Sequence, residues 1–257
     1  MEAKILLYDI ECTGSLGWSY GLFQSNMHHV EVYPIILSFS YGWYDSRSIT
    51  HHQVKIKFAD LFNGKALKEE KRIMVILRDL FDKADMVMGH NSNGFDNKMA
   101  MAAFIKHRIS PPSPFKNLDT LVMSKAGRFA SHSLQNLCNV LGIKGKTDVK
   151  HGSIWRDFVD GKRLARKQME EYNDQDVDIL YDVYKLLRPY ARVHPNMNMY
   201  NNKPFSCTRC GGTRLQSRGT LRTNSFVYQR YYCLDKECGA WSKDRLADKN
   251  FERPELV

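Results

Sequence analysis

The stretch "KILLYDIECTG" at residues 4–14 sets two carboxylates, Asp9 and Glu11, into a run that otherwise reads as a buried strand. Side chains two apart in a strand project from one face, so Asp9 and Glu11 stand side by side with Leu7. Like charges that close repel, and burial raises the cost, unless a cation draws on both. Hard divalent ions such as Mg²⁺ and Mn²⁺ take carboxylate oxygens. A strand end emerging into water is the plainer alternative, and the rest of the chain has to decide between them.

Outward from this stretch, "YPIILSFSYGWY" (33–44) and "SITHHQVKIK" (48–57) are two more strand-like runs set off by Gly, Ser and Asp. With the first they predict an antiparallel meander. Strand and helix then alternate: a helix over 65–84, a strand over 85–91, a helix over 96–108, a strand near 116–123 and a helix over 133–142. A meander followed by crossovers predicts an α/β fold with a mixed sheet covered by helices. The last long helix is expected over about Arg166–Leu187, stopped by Pro189, which cannot continue the hydrogen-bond ladder. The Asn- and Pro-rich "PYARVHPNMNMYNNKP" that follows has no periodicity. It reads as a linker, 191–203, between a domain at 1–190 and a second at 204–257.

Asp96 opens the helix after the strand at 85–91, where a carboxylate either caps free N–H groups or joins a site at the strand's carboxyl end. In the final helix, Asp174, Asp178 and Asp182 recur every fourth residue beside Glu171 and read as a solvated stripe. Asp176 instead shares an apolar face with Met169, Tyr172, Ile179, Val183 and Leu187. A carboxylate there needs an internal partner. Tyr172, four residues earlier on the same face, offers a hydroxyl, and a structural Tyr–Asp hydrogen bond is the plain reading of the pair.

Together "DIE" (9–11), "NSNGFD" (91–96) and "YNDQD" (172–176) form an ordered set of motifs, D-x-E, N-x₃-F-D and Y-x₃-D. The set resembles the three exonuclease motifs of the DEDD family in its tyrosine branch, as in the proofreading domains of family-B DNA polymerases. "NLDTL" and "SHSLQNLCNVLGI" are similar to the segments between those motifs, so the resemblance covers about residues 4–188. "LGWSYGLFQSN" is similar to stand-alone exonuclease-like proteins often encoded by bacteriophages. The resemblance implies a ribonuclease H-like fold with a five-stranded sheet and 3′→5′ hydrolysis of phosphodiester bonds with two Mg²⁺ or Mn²⁺ ions. By position it implies that Asp9, Glu11 and Asp176 hold one metal. Asp9 then bridges to a second metal, which Asp96 assists through water, and Tyr172 orients the attacking water. Asn91 and Phe95 are expected at the terminal nucleotide, with core packing the preferred alternative for Phe95. Thr13 either donates to a phosphate or stabilises a turn.

The segment from Gly14 to Pro34 is long for a connection, and its Trp18, Tyr20 and Phe23 either stack on bases or fold into a local cluster. His28, His29, His51 and His52 lack a ligand pattern and read as surface residues.

Four of the six cysteines form Cys207-x₂-Cys210 and Cys233-x₄-Cys238, separated by 22 residues. Two such knuckles predict one tetrahedral structural Zn²⁺, and the tail resembles a zinc ribbon; disulfides are the alternative. Cys12 and Cys138 read as packed thiols. Within the first knuckle and on to the second, Arg209, Arg214, Arg218, Arg222 and Arg230 are interleaved with Phe226, Tyr228, Tyr231 and Tyr232, without an acid. Arginines for phosphates and rings for bases suit single-stranded nucleic acid, with Arg214, Arg218 and Arg222 as contacts. Docking of a replication or repair protein is the alternative.

A net charge of +10 favours a polyanionic partner, and no apolar run approaches a membrane span. The N-terminus lacks a secretory pattern, so the expected location is the cytoplasm, or the host cytoplasm for a phage protein. The expected activity is exonuclease action on DNA, single-stranded or frayed, in replication or repair. The same acids would also suit an RNase or a structure-specific endonuclease, and a binding adaptor without hydrolysis stays open.

Overall fold

The computed structural model describes residues 3–20, 27–45, 48–144, 157, 158, 160–201, 203 and 205–245. The chain divides into two compact units, one spanning Lys4–Tyr184 and one taking in the chain from Lys185.

The first unit is built on a five-stranded mixed sheet. Its strands are β1 (Ile5–Cys12), β4 (Ile36–Trp43), β5 (His51–Lys55), β6 (Met86–Gly89) and β7 (Lys116–Asp119), in the order β5-β4-β1-β6-β7. The three N-terminal strands pair antiparallel as the meander predicts, and β6 and β7 add in parallel beside β1. Helices α1 (Phe58–Phe62), α2 (Ala66–Lys83), α3 (Asp96–His107), α4 (Thr120–Ser124), α5 (Leu134–Leu141) and α6 (Arg163–Leu187) flank it. This is a ribonuclease H-like α/β fold.

Alternation along β1 places two environments back to back. Leu6, Tyr8 and Ile10 belong to the core that α2 supplies with Ile73, Met74, Leu77 and Phe81, and Tyr8 meets Phe81 edge-on at 5.1 Å. Each of those apolar side chains stabilises the unit by roughly 1.5–3 kcal/mol. The Asp9 and Glu11 face lies opposite Ser40 and Ser38 of β4. Glu70 of α2 is also buried, and it accepts from the Ile36 N–H at 3.0 Å, Lys106 Nζ at 2.8 Å and His107 Nε2 at 2.7 Å, which ties the start of β4 to α3.

Four expectations change. The long segment after β1 contains a hairpin, β2 (Leu16–Trp18) with β3 (His29–Val32). There Trp18 is 67% exposed and donates to Glu31 Oε1, and Tyr20 sits against His28, so neither closes an apolar cluster; Phe23 lies outside the described residues. The strand near 116–123 stops at Asp119, whose side chain caps α4 by accepting from Leu121 N. The stripe on α6 is not simply solvated. Asp174 accepts from Ser40 Oγ at 2.6 Å and Asp178 pairs with His51 at 3.1 Å, because this side of the helix rests on the β4–β5 edge. Phe95, preferred as a core residue, is 43% exposed at the N-cap of α3.

The second unit contains a three-stranded antiparallel sheet, β8 (Leu215–Arg222), β9 (Val227–Cys233) and β10 (Trp241–Arg245), in the order β10-β9-β8. Its two knuckles turn through Gly211 (φ +74°) and Gly239 (φ +57°), left-handed positions that glycine adopts without a Cβ penalty. No helix among the described residues is long and apolar enough to cross a membrane.

Candidate metal centres and active site

Asp9 and Glu11 come from β1 and Asp176 from α6, and one carboxylate oxygen from each lies within 4.8 Å of the others. Glu11 and Asp176 are buried and Asp9 half-buried. If all three are ionised, each pair repels by roughly 3 kcal/mol or more at an effective dielectric near 20. A divalent cation removes that cost. Oxygens around Mg²⁺ sit about 3–4 Å apart, given Mg–O bonds of about 2.1 Å, so the three acids fit such an ion.

The cluster is held in place by Asn173, the residue after Tyr172. Asn173 is fully buried; its Nδ2 donates to Asp9 Oδ2 at 2.8 Å and to the Asp9 carbonyl at 3.2 Å. Its Oδ1 accepts from Ser38 Oγ at 3.3 Å and lies 3.0 Å from Ser40 Oγ, whose one proton Asp174 draws at 2.6 Å. Both serines sit on the carboxylate face of the sheet, so β4 fixes the amide and the amide fixes Asp9.

Asp96 stands outside the three-acid group, beside the strand. Its Oδ1 accepts from the Ile10 N–H at 3.2 Å, between the two acids of β1. Burial pushes its carboxyl up to about 6 against the hydrogen bonds from Ile10 and its own N–H, and the charges of Asp119 and Asp176 add to the rise. A neighbouring cation would act in the opposite direction.

Asp119 is the residue that motif reading passed over. It is buried at the end of β7 and accepts from three backbone groups: Asn91 N (2.9 Å), Asn93 N (3.1 Å) and Leu121 N (2.9 Å). These bonds hold the turn that presents the second motif, in which Asn91 takes φ +59°. The signal was present in "NLDTL", an acid at the carboxyl end of a strand, but it served there only as a spacer between motifs.

Tyr172 is buried on α6 and lines a cleft of about 540 Å³ with His90, Asn91, Leu121 and Gln135. Asn91 and Tyr172, from two motifs, therefore face one space. Thr13 pairs with Ile35, its Oγ1 accepting from Ile35 N at 2.9 Å, which is the turn-stabilising reading of that hydroxyl. A hollow of about 610 Å³ lined by Tyr33, Leu67, Met99 and Ala102 contains none of the cluster's acids.

In the second unit, Cys207, Cys210, Cys233 and Cys238 bring their sulfurs within 4.8 Å of one another. The Cys207–Cys238 and Cys210–Cys233 separations are 3.8 and 3.6 Å. A tetrahedron with Zn–S bonds of about 2.3 Å has edges of about 3.8 Å, so the four fit Zn²⁺. Backbone N–H groups of Arg209 and Gly212 donate to Cys207 and Cys210 at 3.4 and 3.3 Å, which favours thiolates. Without a cation the thiols compete. Cys207 is held far below the usual thiol value by its Cys210 and Cys238 neighbours, and hydrogen bonding to Cys207 pushes Cys238 up to about 12. Burial likewise pushes the separate Cys12 thiol up to about 11, as expected of a packed cysteine.

The predicted contacts Arg214, Arg218 and Arg222 are all exposed. Arg218 lies over the Tyr232 ring at 4.8 Å. Arg222 pairs with Val227 in the register of β8 and β9.

A family model described as the RNase H superfamily matches residues 36–188, from the start of β4 through α6. The match contains Asp96, Tyr172 and Asp176 and begins after Asp9 and Glu11. No curated protein matches the chain.

Proposed function

The chain belongs to the RNase H superfamily, a nuclease-type fold that acts on nucleic acid with divalent metals, and from that premise we propose that it is a 3′→5′ exonuclease. Its substrate in this reading is DNA, at single-stranded or frayed ends, in replication or repair. The observation that carries the proposal is the convergence of Asp9, Glu11 and Asp176 within 4.8 Å. The motif order and Tyr172 in the neighbouring cleft support the exonuclease branch.

Asp9, Glu11 and Asp176 would hold one Mg²⁺ or Mn²⁺, and Asp9 with Asp96 the second. Such a pair supplies an activated water and stabilises the leaving oxygen of an in-line displacement. The chain's own contribution is placement. Asn173 holds Asp9 at 2.8 Å, and Ile10 holds Asp96 at 3.2 Å. Tyr172 orients the attacking water from the cleft wall it shares with Asn91, and Asn91 and exposed Phe95 receive the terminal nucleotide. A second, zinc-bearing domain at 204–257, joined by a linker at 191–203 to the nuclease domain at 1–190, adds grip on the strand.

The test is a panel of strands labelled at the 5′ or 3′ end, in DNA and RNA, with Mn²⁺. A ladder that shortens a 5′-labelled DNA strand from its 3′ end is the expected product. Internal cuts, cleavage confined to RNA, or binding without cleavage would each replace this reading.

A further inference from the structure

The three-stranded sheet of the second unit has two unlike faces. In register, Tyr232 of β9 lies opposite Trp241 of β10, Arg230 opposite Lys243, and Tyr228 opposite Arg245. Residues opposite each other share a face, so Tyr228, Arg230, Tyr232, Trp241 and Lys243 stand together. On the other face lie Gln229, Tyr231 and Cys233, with Tyr231 covered by Phe205 at 4.7 Å. β8 contributes Arg218 to the first face through an irregularity between Ser217 and Thr220. There Gly219 takes φ +64° and its carbonyl accepts from Gln229 Nε2 at 2.8 Å.

On the first face cations and rings alternate. Arg218 covers Tyr232 at 4.8 Å, Tyr232 meets Trp241 at 5.3 Å, Arg230 covers Trp241 at 5.5 Å and Lys243 covers Tyr228 at 4.5 Å. Trp241 is 49% exposed. Asp244 is the one acid in the three strands, and it pairs with Gln229 on the opposite face.

We propose that this face binds single-stranded DNA, its rings stacking on bases and Arg218, Arg230 and Lys243 meeting phosphates. The choice of DNA as the strand rests on the nuclease reading above; the face itself does not. Charge complementarity favours a polyanion. The exposed Trp241 ring, with Tyr232 tilted beside it, favours one with flat unpaired bases over an acidic peptide, which would need the cations alone. From Tyr228 to Tyr232 the strand rises about 13 Å, room for about two to four bases. A base arriving on Trp241 takes the position that Arg230 holds over the ring and frees that guanidinium for a neighbouring phosphate. Trp241 and Lys243 follow the last cysteine, and Arg222 belongs to the other face, so the surface differs from the one that arginine spacing between the knuckles suggests.

The test uses the full chain with labelled oligo-dT, in buffer without Mg²⁺ or Mn²⁺ so that the strand stays intact, and with zinc content measured for each variant. Trp241→Leu should weaken binding about ten-fold or more and leave the salt slope unchanged. The double variant Arg218→Gln/Lys243→Gln should flatten the log–log salt slope by about 1.4, as expected for two lost phosphate contacts. Arg222→Gln should change neither. Zinc-loaded Trp241→Leu and double variants that bind like the wild type would overturn the proposal, as would a preference for oligo-rU over oligo-dT. Cleavage after adding Mn²⁺ is read separately. Face-dependent binding without cleavage removes the nuclease reading and leaves the face, whereas cleavage with face-independent binding does the reverse.

Discussion

Asp119 offers a graded test, because its two oxygens carry different loads. Oδ1 accepts from Asn91 N and Leu121 N, and Oδ2 accepts from Asn93 N. Asp119→Asn keeps a neutral acceptor at Oδ1, which weakens two bonds, and turns an amide N–H toward the Asn93 N–H, which loses the third. Asp119→Ala loses all three. A hydrogen bond to a charged group contributes about 1.5–3 kcal/mol, and water can reach the exposed Asn91 and Asn93. The expected losses are therefore about 2 kcal/mol for Asn and about 4 kcal/mol for Ala. In a unit of this size these correspond to midpoint falls of about 5 °C and 10 °C. Thermal unfolding checks the ranking. A second readout moves the other way: both variants remove a negative charge that helps raise Asp96, so its carboxyl should titrate below about 6, as followed by ¹³C NMR of the metal-free protein. Cleavage should fall further in Ala than in Asn as the Asn91–Asp96 turn loosens. Equal stability of the two variants, or an unchanged Asp96 titration, would refute this account of how the second motif is held.

Three other perturbations are predicted. Asn173→Ala should weaken Mn²⁺ binding about ten-fold or more by releasing Asp9, measured by calorimetric titration, and an unchanged affinity would show that Asp9 is held without it. Metal analysis should find about one zinc per chain, and Cys210→Ser should make the unit from Lys185 protease-sensitive while leaving Lys4–Tyr184 resistant; zinc-free protein with a resistant second unit contradicts the site. His194 is pushed down to about 4, chiefly by burial, against an ordinary 6.5. The unfolded chain thus takes up the proton first, so stability is complete above about pH 6.5 and is lost as pH falls toward 4, by up to about 3 kcal/mol. His194→Gln should flatten that dependence in denaturation curves recorded across the window.

Features with a local signature were legible. The D-x-E spacing, the Asp176 face of α6 and the C-x₂-C and C-x₄-C knuckles each follow from a period or a turn. So do the ends of α5, which Ser133 caps at Asn136 N and Gly142 closes in a left-handed conformation. Features made by distant contacts were not. Asn173 meets Asp9 across 164 positions, and Asp119 meets Asn91 across 28. In a linear reading Asn173 is only an unassigned position inside the third motif, and Asp119 only part of a segment between motifs. The Asp174 and Asp178 stripe misled for the same reason: helical spacing shows which residues share a face, not that β4 and β5 lie beneath it. Trp241 and Lys243 join Tyr232 and Arg230 only once β10 pairs with β9.

The most direct test of the central claim compares the wild type with Asp9→Asn and Asp176→Asn on 5′-labelled single-stranded DNA, with and without Mn²⁺. The predicted result is cleavage by the wild type only when Mn²⁺ is present, and its loss in both folded variants. Metal-independent cleavage, or full activity in either variant, would contradict the reading of Asp9, Glu11 and Asp176 as a metal-binding catalytic centre.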